Sequence, residues 1–369
     1  MKPERGEAHN PFAHGGNLAE VRERFALDGK PLLDFSANIN PLGMPDSVRR
    51  AILAAMPSLL HYPDTECRRL RTKLAERVGV RPENIIVGNG STELMFLAAR
   101  AMLRGAACVI DPTFTEYRHA VEHAGGQCVN AIAEGCYDFR VTGDILTRAA
   151  TLSRMVFLCN PNNPTGVVTS GAEILSVTSK FPDVLFVIDE AFCDFLPNED
   201  DISVMRSAAR TGNLIVLRSL TKFFAIPGLR LGYLVANERA VGQMLRLKEP
   251  WTVNSLAEEA GCAAVDDIGF CKRTREAVRA WKDELVKAIG EINGLQPVPP
   301  SVNFILTRIV KKGLGVEALQ ERLLKEGILI RDCSNFPGLD SRYFRVAVRN
   351  PQENARLVEA LGRVLEESR

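Results

Sequence analysis

The 369-residue sequence predicts an α/β protein, with a large domain on a seven-stranded, mostly parallel sheet covered by helices and a smaller α+β domain after it. Three observations lead there. Short runs at 84–87, 107–110, 127–131, 155–158, 184–188, 214–217 and 231–235 are apolar throughout instead of alternating, as strands buried on both faces are. Helical stretches, for example 92–103, 115–123, 144–150 and 171–179, separate them, which is the order of parallel strands joined by crossover helices. After Glu249-Pro250-Trp251 this rhythm stops.

In chain order, the first 45 residues are rich in Gly, Pro and Asn and hold one strand-like piece, 32–36. They are expected to drape over the other units rather than fold alone, so 1–46 forms an N-terminal arm and part of the small domain. Residues 47–248 form the large domain and 249–369 the small one. In the latter, an amphipathic helical region reaches about Ile292, with Trp281 and Leu285 on its apolar stripe. Strands follow at 302–306, 328–330 and 343–348, with helices at 316–325 and 352–367.

The bulk numbers exclude several classes of function. Lys and Arg total 46 against 45 Asp and Glu, so a net charge of +1 gives no field for nucleic acid or an anionic membrane. No apolar run is long enough to span a bilayer, and the opening MKPERGEAHN lacks the apolar core of a secretory signal. A cytoplasmic location is the expectation. The nine cysteines are odd in number, form no C-x-x-C pair and stand at no ligand spacing from a histidine. Neither a metal site nor a disulfide framework is expected, and buried thiols are.

Chemistry concentrates on four strand-to-helix turns. Ser219-Leu-Thr-Lys222 follows the strand 214–217, with Arg230 eight positions beyond the lysine. Most lysines are solvated, but this one lies past a strand end, where α/β folds place their ligands. Partial burial near cationic groups gives the unprotonated amine that a Schiff base needs. Asp189 ends the apolar strand 184–188, and a buried carboxylate there demands a cationic or donor partner. A helix-capping or metal-binding Asp is the bland alternative, but no G-x-x-x-x-G-K-[ST] loop accompanies it. Asn160-Pro-Asn-Asn163-Pro-Thr-Gly166 is a rigid turn. Val87-Gly-Asn-Gly90-Ser91-Thr92-Glu93 enters a helix and reads either as an anion cradle or as an ordinary N-cap.

Together, G-x-G-S-T-E, N-P-N-N-P-T-G, D-E-A-F and S-L-T-K-x7-R resemble the class I/II aminotransferase family, over nearly the whole chain. The resemblance implies the aspartate-aminotransferase fold and pyridoxal 5'-phosphate as cofactor. Lys222 would carry it as a Schiff base and Asp189 would bind the pyridine nitrogen. Asn163 would bind the phenolic oxygen, and Gly90, Ser91, Thr92, Ser219 and Arg230 the phosphate. It further implies that Tyr117 stacks on the ring and that Tyr62 reaches the cofactor phosphate of a partner subunit in a homodimer. Arg345 would hold the substrate carboxylate.

The terminal segments, His14-Gly-Gly-Asn17, Asp34-Phe-Ser-Ala-Asn38-Ile-Asn40 and Arg331-Asp-Cys-Ser-Asn335, narrow the resemblance. They are similar to threonine-phosphate decarboxylases, which are close relatives of histidinol-phosphate aminotransferases. The implied substrate is a small phosphorylated amino acid, with Arg331 on its phosphate and His14 and Asn40 assisting. Phe192 stands three residues after Asp189, where ordinary aminotransferases usually have tyrosine; phenylalanine there resembles the decarboxylase branch.

Overall fold

In a computed structural model, residues 15–25 and 31–366 are described. After β1 (Leu33–Asp34), the seven expected strands form β2 (Ile85–Gly88), β3 (Ala106–Asp111), β4 (Gln127–Ile132), β5 (Met155–Cys159), β6 (Leu185–Asp189), β7 (Leu214–Ser219) and β8 (Gly232–Val235). They make one sheet in the order β2-β8-β7-β6-β5-β3-β4. Strands β3 to β7 pair in parallel, and β8 lies antiparallel between β2 and β7. The link from β7 to β8 holds only the lysine turn, so the chain returns beside the strand it has just left.

Every position of β5, β6 and β7 is buried, because helices cover both faces. The pleat divides them. Val156, Leu158, Phe186 and Ile188 join one core, and Met155, Phe157, Val187 and Leu217 join the core on the other face.

A second sheet follows from β9 (Leu295–Pro297), β10 (Phe304–Ile309), β11 (Ile328–Leu329), β12 (Arg331–Asp332) and β13 (Tyr343–Ala347). Four of these lie in the order β12-β13-β10-β9, while β11 pairs in parallel with β1. Leu285, Ile305, Phe344, Leu357 and Leu361 fill their core. Through β1, residues 33–34 thus pair with this unit.

The expected break at 248 does not coincide with a break in the core. Ala257, Ala260 and Ala264 of helix Ser255–Asp266 pack in the same cluster as Val48, Leu70 and Leu74 of the large unit. That cluster runs on to Val278, partway along helix Ile268–Gly290. Small alanine and glycine side chains let the helix lie close; a Cβ on Gly261 would meet Leu231 at 2.7 Å. All nine cysteines are free thiols. Among the described residues, no helix is long and apolar enough to cross a membrane.

Candidate active site

The parallel strands end on one edge of the sheet, and their following turns bring the predicted residues together. A cleft of about 470 Å³ there is lined by Lys222, Asn163, Arg230, Arg331, Arg345 and Phe114. A larger cavity, about 920 Å³, is walled by Arg77, Asp194 and Arg275, and none of the predicted site residues lines it.

Lys222 Nζ donates to Ser219 Oγ at 3.0 Å, and that hydroxyl shares a 2.8 Å bond with Thr221 Oγ1. Burial lowers the lysine's pKa and Arg230's charge adds to the effect, against the pull of Asp189. The amine is therefore easier to deprotonate than a surface lysine. Asp189 is 6% exposed at the end of β6. Its Oδ2 accepts from the Tyr117 hydroxyl at 2.8 Å, and its Oδ1 from Ala191 N–H at 3.1 Å. Burial raises the carboxyl's pKa, while Tyr117 and Lys222 work the other way.

The stacking role expected of Tyr117 is corrected here. The Tyr117 ring is fully buried and stacks on Phe157 of β5, centroids 5.3 Å apart. It sits in the first turn of helix Glu116–His123, turned toward the sheet, and is committed to Asp189. Phe114, three residues earlier, meets Tyr117 edge-on at 5.7 Å and itself lines the cleft. Asn162 fixes this turn, accepting from Thr113 Oγ1 and donating to the Pro112 carbonyl, each at 2.8 Å.

Beneath the turn, Asp111 at the end of β3 accepts from the Asn130 amide and has Arg118 at 3.8 Å. Burial pushes its pKa up to about 6. An unfolded Asp titrates near about 4, so the folded state binds the extra proton between about pH 4 and 6, and this group's contribution to stability falls as pH rises through that window. Asp111→Asn removes the titration. Thermal unfolding from pH 4 to 7 should then show a smaller loss of Tm on raising the pH than the parent shows.

Gly90 opens helix Gly90–Met102 with φ +82°, and a Cβ there would lie 2.4 Å from Arg230 Nη2. Gly232 is equally close-packed, a Cβ falling 2.5 Å from Ser91 N. Backbone N–H groups at the helix start and the Arg230 guanidinium thus converge where only glycine fits. Ser91 is buried and Thr92 partly so at the same helix start, and Ser219 is buried below.

Arg331 and Arg345 are Cα partners on the antiparallel strands β12 and β13, so both side chains leave the same face. They are 3% and 4% exposed. Arg345 Nη1 donates to Asn163 Oδ1 and Nη2 to the Ser36 carbonyl at 2.7 Å, while its Nε is buried without a hydrogen-bond partner. These acceptors are neutral, and burial pulls the Arg345 pKa down to about 10. Arg331 donates to Asn335 Oδ1 at 2.9 Å and lies over Phe336; burial lowers its pKa too.

Two other predicted residues stand apart. Asn40 does not line the cleft: its amide donates to the Phe223 carbonyl at 2.6 Å and Thr274 Oγ1 at 3.0 Å, and its Oδ1 accepts from Leu42 N–H. Asn38 lines it instead, with a buried Oδ1 that has no partner. Tyr62 is 84% exposed, its ring 5.0 Å from that of Trp251. His14 lies outside the described residues.

A strand-end lysine beside a buried aspartate, on a sheet of this order, defines a class of proteins: the chain belongs to the aminotransferase class I and II family, whose model matches residues 30–361. Within it, the chain is 38% identical to the threonine-phosphate decarboxylase of Salmonella typhimurium, an alignment covering 96% of each chain. It is 33% identical to histidinol-phosphate aminotransferase 1 of Cupriavidus pinatubonensis, over 98% of this chain and 96% of that one. The crystal structure of L-threonine-O-3-phosphate decarboxylase from Porphyromonas gingivalis superposes with a TM-score of 0.80 at 29% identity, over 90% of this chain and 99% of that one.

Proposed function

We propose that the protein decarboxylates L-threonine O-3-phosphate with pyridoxal 5'-phosphate, giving (R)-1-amino-2-propanol O-2-phosphate, the aminopropanol linker of cobalamin. The observation that carries this reading is the cross-strand pair Arg331 and Arg345, two buried cations facing one cleft. Beside burial, the charge of Arg331 helps to hold the Arg345 pKa down, so the two guanidinium groups repel each other across the cleft. A substrate with an anion at each end would give each guanidinium a charge-assisted partner in the cleft. The 38% identity to the Salmonella enzyme supports the same substrate.

The residues fit the cofactor. The Gly90–Arg230 cradle suits a phosphate, and Asp189 is a buried carboxylate beside an amine of lowered pKa. Pyridoxal phosphate, when bound, supplies an electron sink for the pair left at the substrate Cα. Asp189 would hold a proton on the pyridine nitrogen, and Tyr117 keeps that carboxylate aimed. Arg345 would orient the carboxylate that leaves as CO2, and Arg331 the phosphate. Lys222 Nζ would then deliver a proton to Cα. Asn163 spends its Oδ1 on Arg345, which leaves its amide N–H to donate to the phenolic oxygen. Phe192 offers no second donor: its ring packs edge-on against Phe304 and lies 5.9 Å from Lys222 Nζ.

Gly90→Ala should raise the dissociation constant for pyridoxal phosphate roughly 10–100-fold, the worth of one or two charge-assisted hydrogen bonds, as read by equilibrium dialysis. We further propose a homodimer, supported by a run of exposed apolar side chains at Leu53, Met56, Leu59, Leu60 and Tyr62 beside Trp251. Sedimentation should give twice the 40.6 kDa chain mass.

The deciding experiment is CO2 release from threonine phosphate with no keto acid present, beside serine phosphate and histidinol phosphate. CO2 from the first, with an amine phosphate as product, supports the proposal. More CO2 from serine phosphate would rename the substrate. Amino transfer from histidinol phosphate to 2-oxoglutarate without CO2 would replace the decarboxylase by an aminotransferase.

A further inference from the structure

We infer that Ser36 is a positioning residue that couples the seating of the N-terminal segment Gly15–Leu18 to the aim of Arg345. The inference rests on the reading that Arg345 receives the substrate carboxylate.

Ser36 is 3% exposed and engaged on every polar atom. Its N–H and Oγ both donate to Asp34 Oδ1, at 2.7 and 2.6 Å. With its proton committed there, Oγ accepts from Gly16 N–H at 2.9 Å. Its carbonyl accepts from Arg345 Nη2 at 2.7 Å. Gly15 packs onto that same carbonyl, where an added Cβ would fall 2.0 Å from the oxygen. The segment and the arginine therefore share one peptide group.

Both sides of the joint are anchored elsewhere. Beyond Gly16, helix Leu18–Arg24 buries Val21 against Leu324 and Leu329, and Leu18 reaches the cleft. Asp34 is held by its register with Leu329 and by Arg349, which donates to its carbonyl at 3.1 Å. Ser36 is thus the point where movement of the segment reaches the cleft. When the segment is seated, it shields the Ser36 carbonyl from water, and the carbonyl keeps Arg345 turned into the cleft. When it lifts, Gly16 N–H loses its acceptor and water competes for the carbonyl. Coupling of this kind is reciprocal: an anion on Arg345 must favour the seated segment.

The test uses the full-length holoenzyme and threonine phosphate. Amide hydrogen exchange over residues 16–24 is measured with and without substrate, beside steady-state kinetics, for Ser36→Ala, Ser36→Thr, Gly15→Ala and Arg345→Gln. In the parent, substrate should slow exchange across the segment. Ser36→Ala should lose that protection and raise KM about tenfold or more with kcat little changed, the pattern of lost binding rather than lost chemistry. Ser36→Thr, which keeps the hydroxyl, should restore protection. Gly15→Ala should behave like Ser36→Ala through the clash alone, which keeps the test alive if a Ser36 variant folds poorly. Parent-like KM and protection in both Ser36→Ala and Gly15→Ala would overturn the inference. Unaltered substrate binding in Arg345→Gln would instead overturn the reading of Arg345 on which it rests.

Discussion

Lys222→Ala is expected to lower turnover by roughly 10³-fold or more, because on the proposed mechanism one atom, Nζ, would serve as both nucleophile and proton carrier. No neighbour can replace it. Ser219 is hydrogen-bonded to the lysine and to Thr221, and neither hydroxyl can form a Schiff base. The side chain is only partly buried, so truncation should cost little stability, and the loss can be read as chemistry. Absorption spectroscopy gives the independent check: the visible band of a lysine-linked cofactor should vanish while phosphate-driven binding at the Gly90 cradle persists. A variant that kept the band would move the attachment to another amine.

Asp189→Asn carries the second largest effect. The shape is kept and the charge is lost, so kcat should fall by ~10²–10³, the scale for removing one preorganised electrostatic partner. The Tyr117 hydroxyl and the Ala191 N–H, both donors to the carboxylate, could still meet the Asn carbonyl, though not both in the native bidentate arrangement. Stability should move much less than rate, since burial already opposes ionisation of this aspartate. Stopped-flow measurement of the single-turnover rate separates this loss from slower substrate binding.

The parts of the fold most legible in the sequence were those with the simplest physics. Seven strands announced themselves because burial on both faces leaves no polar position, and each expected run falls within a residue or two of an observed strand. Strand β9, Leu295–Pro297, offers three residues, one of them a proline, and carries no such signal. The core crossing the expected boundary at 248 was hidden for a different reason: the alanine stripe of Ser255–Asp266 specifies close packing without naming the unit it packs against.

At the site, Lys222, Asp189 and Gly90 were legible because each stands at the end of a strand or the start of a helix, where position alone decides direction. The errors fell in turns. Phe114 and Tyr117 are both aromatic, and only the backbone path through Pro112 and Thr113 decides which ring meets the cleft. Asn38 and Asn40 flank Ile39, and nothing in that short motif reveals that Phe223 and Thr274 claim the second amide.

The backbone pairing of β12 with β13 also makes the cleft a caliper. Hydrogen-bond register, rather than side-chain flexibility, sets how far apart the two guanidinium roots stand, and on the proposed reading that spacing would gauge the distance between the substrate's two anions. The jaw is short: β12 has two residues, and a slip of one would turn Arg331 to the opposite face. On that reading, a substrate of different length would call for a new register between β12 and β13, not only another rotamer of either arginine.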